Sequence, residues 1–231
     1  MKTIKVTVFL ILAIGAVAGP AWAQYPLGDR WYENPLGLKP LSLHTSMGFV
    51  LPALVTGVAL VLTKRDSTLQ QKFSLYTETG VTFGYKYPHT KVAQSNTGLN
   101  FMLRRWLSVG TELSATCPFD DYNRTIGFAI RPFARLYAVN KPAWQLWFES
   151  GGGLVYFTDP FPQPNSRDNR TGTSLNGTTK YGIGASVRLG PRAKLLFGAR
   201  HLHISNGDTK GADRNPSHDS NGLFAGLSWI L

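Results

Sequence analysis

The chain is poor in cysteine and in acidic residues, and each shortage narrows what it can be. Among 231 residues, Cys117 is the sole cysteine. A disulfide framework within one chain is therefore excluded, and stability must come from packing and backbone pairing. Asp and Glu number 13 against 24 Lys and Arg, a formal net charge of +11, or +9 once Lys2 and Lys5 are set aside. Such a basic balance favours anionic partners: nucleic acid, lipid phosphates or lipopolysaccharide. No sustained helical period runs through the C-terminal two thirds, and the one long apolar stretch after the leader, Met47–Thr63, is near the lower limit for a spanning helix.

The N-terminus carries an export pattern. Lys2 and Lys5 precede an apolar run from Val6 to Ala18, and Ala21-Trp22-Ala23 supplies a small-x-small cleavage signal. Residues 1–23 read as a signal peptide, leaving a mature chain from Gln24. With no cysteine near that point, a lipid-modified N-terminus has no support. Export also removes nucleic acid from the partner classes and leaves lipids. Residues 24–72 form an N-terminal extension whose apolar segment 47–63, broken by Gly48, Pro52 and Gly57, is expected to be helical. A second inner-membrane span would conflict with delivery to the outer membrane, so the segment is expected to be a periplasmic or interfacial helix, or to pack against the base of the following domain.

From Phe73 onward, residues alternate between two characters with a period of two, the period of a β-strand. Eight strands are expected, at 73–86, 94–104, 106–116, 124–138, 142–157, 178–189, 193–205 and 219–231. In the first, Phe73, Leu75, Val81, Phe83 and Tyr85 share one face, while Ser74, Glu78, Gly80, Thr82 and Gly84 share the other. Glu78, Glu112, Glu149, Arg104, Arg131 and Arg135 fall on the polar phase. Small residues and opposite charges suit the packed interior of a narrow barrel whose apolar phase faces lipid. A soluble β-sandwich would reverse the two faces, and alternation alone does not distinguish them. Strand length, aromatic-rich strand ends and the export signal favour a transmembrane barrel spanning residues 73–231.

Connection lengths add an independent argument. Short links at Arg105, Asn140-Lys141-Pro142 and Gly190-Pro191-Arg192 alternate with longer ones at Tyr87–Ala93, Pro118–Asn123, Thr158–Gly177 and Asn206–His218. Short periplasmic turns and long outer loops give that alternation. The chain ends on an apolar strand bearing Trp229, although its last residue is Leu231 rather than an aromatic.

Candidate chemistry gathers on the last hairpin. Residues two apart on a strand share a face, so His203 and Ser205 are neighbours roughly 6–7 Å apart at Cα. A serine hydroxyl needs a base to become a nucleophile, and the base needs an orienting acid. Asp219 opens the next strand and can supply it, while Asn206 or a nearby backbone N–H can stabilise an oxyanion. His203, Ser205 and Asp219 share the phase of Leu195, Phe197, Leu223, Leu227 and Trp229, so they emerge on the lipid-facing wall, at the outer rim. An isolated His-x-Ser is a weak signal, and His201 on the same face reads more readily as a polar strand end. A metal site from His201, His203, His218 and Asp219 matches no strong zinc spacing. Arg167, Arg170, Lys210 and Arg214 in the loops suit either lipid phosphates or plain solvation.

The run His203-Ile204-Ser205-Asn206-Gly207, followed by Asn215-Pro216-Ser217-His218-Asp219 and a terminal strand, resembles the lipid A 3-O-deacylase family of the PagL type. The resemblance covers about residues 73–231 and is most specific across 200–231. It implies an eight-stranded outer-membrane barrel that hydrolyses the 3-O-linked acyl chain of lipid A without a cofactor or metal. It also implies His203 as base, Ser205 as nucleophile, Asn206 as an oxyanion contributor, Asn215 in support and Asp219 as acid. The chain departs from the family at two places: Asp219 stands where the best-known pattern has Glu, and Ser217 replaces a usual Gly. A non-catalytic barrel with a structural or lipid-binding role is the other class open to this sequence. A homodimer is also left open.

Overall fold

Alternation of apolar and small or polar side chains is satisfied when the sheet closes on itself, because closure pairs every edge and gives each phase its own solvent. The computed structural model, which describes residues 43–64, 69 and 73–231, shows this closure. Eight antiparallel strands run in sequence order: β1 Phe73–Gly84, β2 Lys91–Arg104, β3 Leu107–Phe119, β4 Gly127–Asn140, β5 Trp144–Phe161, β6 Thr173–Arg188, β7 Ala193–Ser205 and β8 His218–Ile230. β8 returns to β1, with Phe83 opposite Asn221 and Leu75 opposite Trp229. The expected leader and most of the extension lie outside the described residues.

The polar phase points inward. Glu112 accepts from Arg131 Nε at 2.7 Å, from Lys180 Nζ at 2.6 Å and from the Tyr76 hydroxyl at 2.8 Å. Glu149 accepts from Arg135 Nε at 2.6 Å and lies 3.0 Å from Lys180 Nζ. Glu78 takes Asn96 Nδ2 at 3.0 Å and sits 2.7 Å from an Arg200 guanidinium nitrogen. All seven charged side chains are buried, and three carboxylates facing four cations leave the lumen nearly neutral. The apolar phase is exposed: Leu99, Leu113, Phe128, Ile130, Leu154, Ile183 and Leu223 stand on the outer wall. A barrel with a charged core and a greasy exterior is one built for lipid.

Arg104 departs from its expected inner phase. A register shift between Met102 and Arg104 breaks the alternation, and the guanidinium turns to the segment before the barrel. β5 and β6 also run farther towards the rim than their alternation suggests, to Phe161 and from Thr173, so the link between them shortens.

The segment before the barrel is a helix, α1, Leu43–Val61, containing a π-helical turn at Ser46–Val50. Its 19 residues span about 29 Å, close to the hydrocarbon thickness of a bilayer. It lies not at the base but along the outer wall. Leu51, Val55 and Ala59 are buried against Leu107, Ala134 and Leu136, while Phe49, Leu54, Leu60 and Val61 remain exposed. Close approach is possible because glycine meets glycine: a Cβ on Gly48 would stand 2.7 Å from Thr179 Oγ1 and 3.4 Å from Gly152 Cα. The far end is held by Arg104, which donates to Thr63 Oγ1 at 2.8 Å, Thr63 O at 2.8 Å and Ala59 O at 2.5 Å.

Candidate active site

The last hairpin brings His203 and Asp219 together by register alone. They are directly opposed on β7 and β8, and His203 Nδ1 lies 2.6 Å from Asp219 Oδ1. The short side chain of Asp219 therefore reaches the imidazole directly. Asp219 is buried, and Lys86 Nζ donates to its second oxygen at 2.9 Å. His201 opposes Asn221, with its Nδ1 2.9 Å from Asn221 Oδ1, and its other nitrogen is 3.7 Å from Asp219. His218 lies on the opposite face, its ring packed against Phe161 on the inner side.

Ser205 is two residues beyond His203 on the same face. Among the described residues its hydroxyl bonds not to His203 but to Asn215 Oδ1, at 3.0 Å, and it accepts from the Gly207 backbone N–H at 3.0 Å. Asn215 Oδ1 also accepts from the Asn206 backbone N–H at 3.1 Å, and Asn215 Nδ2 donates to Asp208 at 2.8 Å. Asn206 is itself buried, with Nδ2 donating to Arg214 O at 2.5 Å and Thr173 Oγ1 at 3.3 Å. Asn215 thus gathers the Ser205 hydroxyl and the Asn206 backbone N–H on one amide oxygen, while the Asn206 side chain ties the loop to β6.

The outer loops brace this corner. Arg214 donates to the Thr171 and Gly172 carbonyls, and Arg170 pairs with Asp168 at 2.7 Å while reaching Ala212 O and Asn215 O. Arg167 lies over the Tyr87 ring, and Lys210 is exposed. Ser217 has φ +47°, the left-handed region in which a side chain is strained, which gives a physical reason for glycine at that place. Above β1, the Tyr85 phenol is held above its ordinary pKa first by burial and then by the Asp219 carboxylate, so it remains a neutral hydroxyl.

Two site neighbours were not visible as such in the sequence. Lys86 follows β1, and barrel closure, which pairs Phe83 with Asn221, carries it to Asp219; that register was a usable signal. His44 comes from α1, where nothing in the sequence pattern points to β7. Its ring stacks on that of His203 with centroids 3.6 Å apart and planes 2° from parallel, and its Nε2 lies 3.3 Å from Asp219 Oδ1. Donor atoms of His44, His203 and Asp219 lie within 4.8 Å of one another. A metal ion sits in the plane of each imidazole that binds it, at about 2 Å. Two face-to-face rings 3.6 Å apart do not offer one ion both lone pairs, so the donor set fits stacking better than coordination.

The sequence model of the lipid A 3-O-deacylase (PagL) family matches residues 118–228, which include His203, Ser205, Asn206, Asn215 and Asp219. No curated protein sequence matches the chain. Among solved structures, the outer-membrane enzyme PagL is similar with a TM-score of 0.53 at 15% identity, covering 68% of this chain and 99% of that one. Neisserial surface protein A is similar with a TM-score of 0.51 at 12% identity, covering 69% and 97%. At these identities the likeness establishes the fold, that of bacterial outer-membrane barrels, and the protein is a barrel of that membrane. Over residues 118–228 the chain is similar to the lipid A 3-O-deacylase family, the family that its last hairpin resembles.

Proposed function

We propose that the protein is a serine esterase of the outer membrane that hydrolyses the 3-O-linked acyl chain of lipid A. The observation that carries this reading is the His203–Asp219 hydrogen bond on the outward face, with Ser205 the next residue of that phase. With Nδ1–H on Asp219, the imidazole keeps Nε2 free to accept a proton. Ser205 turns from Asn215, loses its proton to His203, and its oxygen attacks the ester carbonyl carbon. The oxyanion is met by the backbone N–H groups of Asn206 and Gly207, which give up their resting bonds to Asn215 Oδ1 and Ser205 Oγ as the serine turns, while Asn215 Nδ2 keeps its bond to Asp208. Collapse breaks the bond to the sugar oxygen, which takes the proton from His203. Water, deprotonated by the same imidazole, then attacks the acyl-serine, and the serine oxygen recovers its proton as the fatty acid leaves.

The site opens on the wall rather than into the lumen, which suits a substrate whose acyl chains lie in the surrounding leaflet. Delivery to that leaflet involves residues 1–23 as a cleaved signal peptide, and sequencing the mature N-terminus should return Gln24. Lipid A from cells carrying the protein should lose one 3-hydroxyacyl chain by mass spectrometry, with the free fatty acid recovered. Ser205→Ala and His203→Ala should each abolish that loss while the barrel still inserts. Deacylation by either variant rules out this pair as nucleophile and base.

A further inference from the structure

Catalysis by a His–Ser pair depends on how tightly the imidazole is held, and here the base is gripped from two sides. Asp219 holds its Nδ1 edge. Its face is covered by His44, from a different element and 159 positions earlier in the chain. We propose that His44 is a positioning residue for His203, and that α1 is the arm that delivers it, so the site is completed from outside the barrel. This rests on the esterase reading above.

Three features of α1 bear on that role. Its docking is built rather than incidental: Gly48 sits against Gly152 and Thr179, Ser150 Oγ donates to the Met47 carbonyl, and Arg104 fastens the far end. The attachment also converges on the base. Thr179 is the cross-strand partner of His203 on β6, and its hydroxyl donates to the His44 carbonyl at 3.2 Å, so the ring partners hang from adjacent points of one sheet. The third feature is the π-helical turn at Ser46–Val50, between His44 and the regular helix. One inserted residue turns the preceding residues by about 100° around the axis, which sets the face on which His44 emerges.

A ring stacked flat on the imidazole blocks its rotation about the Cβ–Cγ bond and keeps water and lipid from one face. Nε2 is thereby held towards Ser205 between turnovers. The contact that does this is the stacking, at 3.6 Å; the 3.3 Å approach of Nε2 to Asp219 is the lesser one, because Oδ1 already holds His203 at 2.6 Å. A cover that had to move aside for substrate would not need a glycine seat, a hydroxyl tether and an arginine clasp.

The test uses the full-length protein in detergent micelles with purified lipid A, comparing His44→Ala, His44→Phe and Gly48→Leu, with His203→Ala as control. His44→Ala should lower kcat about 10–100-fold with KM within about twofold, the scale of a misplaced catalytic group. His44→Phe, which keeps a ring over His203 without the nitrogens, should recover most of that loss. Gly48→Leu, which forces α1 off the wall, should fall as far as His44→Ala. A readout without substrate is the downfield proton on His203 Nδ1 in NMR: its exchange with water should quicken in His44→Ala and return towards the parent rate in His44→Phe. Wild-type kcat in His44→Ala, a Phe variant no better than Ala, or a Gly48→Leu variant more active than the parent would each overturn the proposal. Activity surviving in His203→Ala would instead overturn the esterase site beneath it.

Discussion

Among the described residues, one cluster of charged and polar side chains fills the lumen and another sits on the wall, and the two are built in opposite ways. In the lumen, Glu78, Glu112 and Glu149 meet Arg131, Arg135, Lys180 and Arg200 from neighbouring and facing strands, all buried. Every partner comes from the barrel itself. On the wall, His203 and Asp219 are strand neighbours, as are His201 and Asn221 beside them; the loop after β7 supplies Asn215, the loop after β1 supplies Lys86, and α1 supplies His44. The first cluster is fixed by topology and the second is assembled from parts with independent anchors. A cluster of the first kind suits stability, and one of the second kind can be tuned without disturbing the barrel.

That contrast can be broken or sharpened by substitution. The largest effect belongs to the wall: Ser205→Ala should cost about 10⁶-fold in turnover, as removal of a serine nucleophile does, with no change in the urea midpoint of the barrel in micelles. Asp219→Asn should be milder by about two powers of ten, because an amide can still orient the imidazole without supplying charge. Glu112→Ala should act the other way round. It leaves Arg131 and Lys180 short of a carboxylate in a buried setting, so unfolding by urea should reveal a loss of about 3–5 kcal/mol, with turnover per folded molecule retained.

Smaller effects test the loops. Ser217→Gly relieves a side chain at positive φ and should raise stability by up to about 1 kcal/mol, read from the same unfolding curves. The smallest concerns pH. Burial raises the Asp120 carboxyl, but hydrogen bonds from Thr90, Asn123 and the backbone N–H groups of Tyr122 and Asn123 outweigh it and hold the pKa below its ordinary value. A depressed carboxyl stabilises fully above the unfolded pKa of about 3.9 and loses that contribution as pH falls through the lower folded value. The protection factors of the Tyr122 and Asn123 amides, exchange rates taken relative to the free peptide at the same pH, should therefore hold at neutral pH and fall only below about pH 4.

How much of this was legible in the sequence follows from the same contrast. Alternation and link length are local properties, and they yielded eight strands, the inward carboxylates and the outward hairpin. The His203–Asp219 pairing was legible because a tight register carries it. Arg104 was misread because a bulge reverses phase without a compositional mark. The place of α1 was not legible either: an apolar helix has many surfaces to choose from, and the choice turns on a glycine contact between residues 48 and 152 that no periodicity records. His44 could not be found before α1 was docked.

The lumen has one more consequence, an electrical one. A barrel of this width could leak ions across the membrane that it spans. Here the bore is closed by side chains whose charges nearly cancel and whose positions are locked by their neighbours, with Arg135 wedged over the Tyr76 ring and Arg200 over Phe224. Across the middle of the barrel, the ion pairs of Glu78, Glu112 and Glu149 with Arg131, Arg135, Lys180 and Arg200 fill the bore. The outer wall can thus carry the His203–Asp219 pair and its neighbours without a change in the ion-paired core behind them.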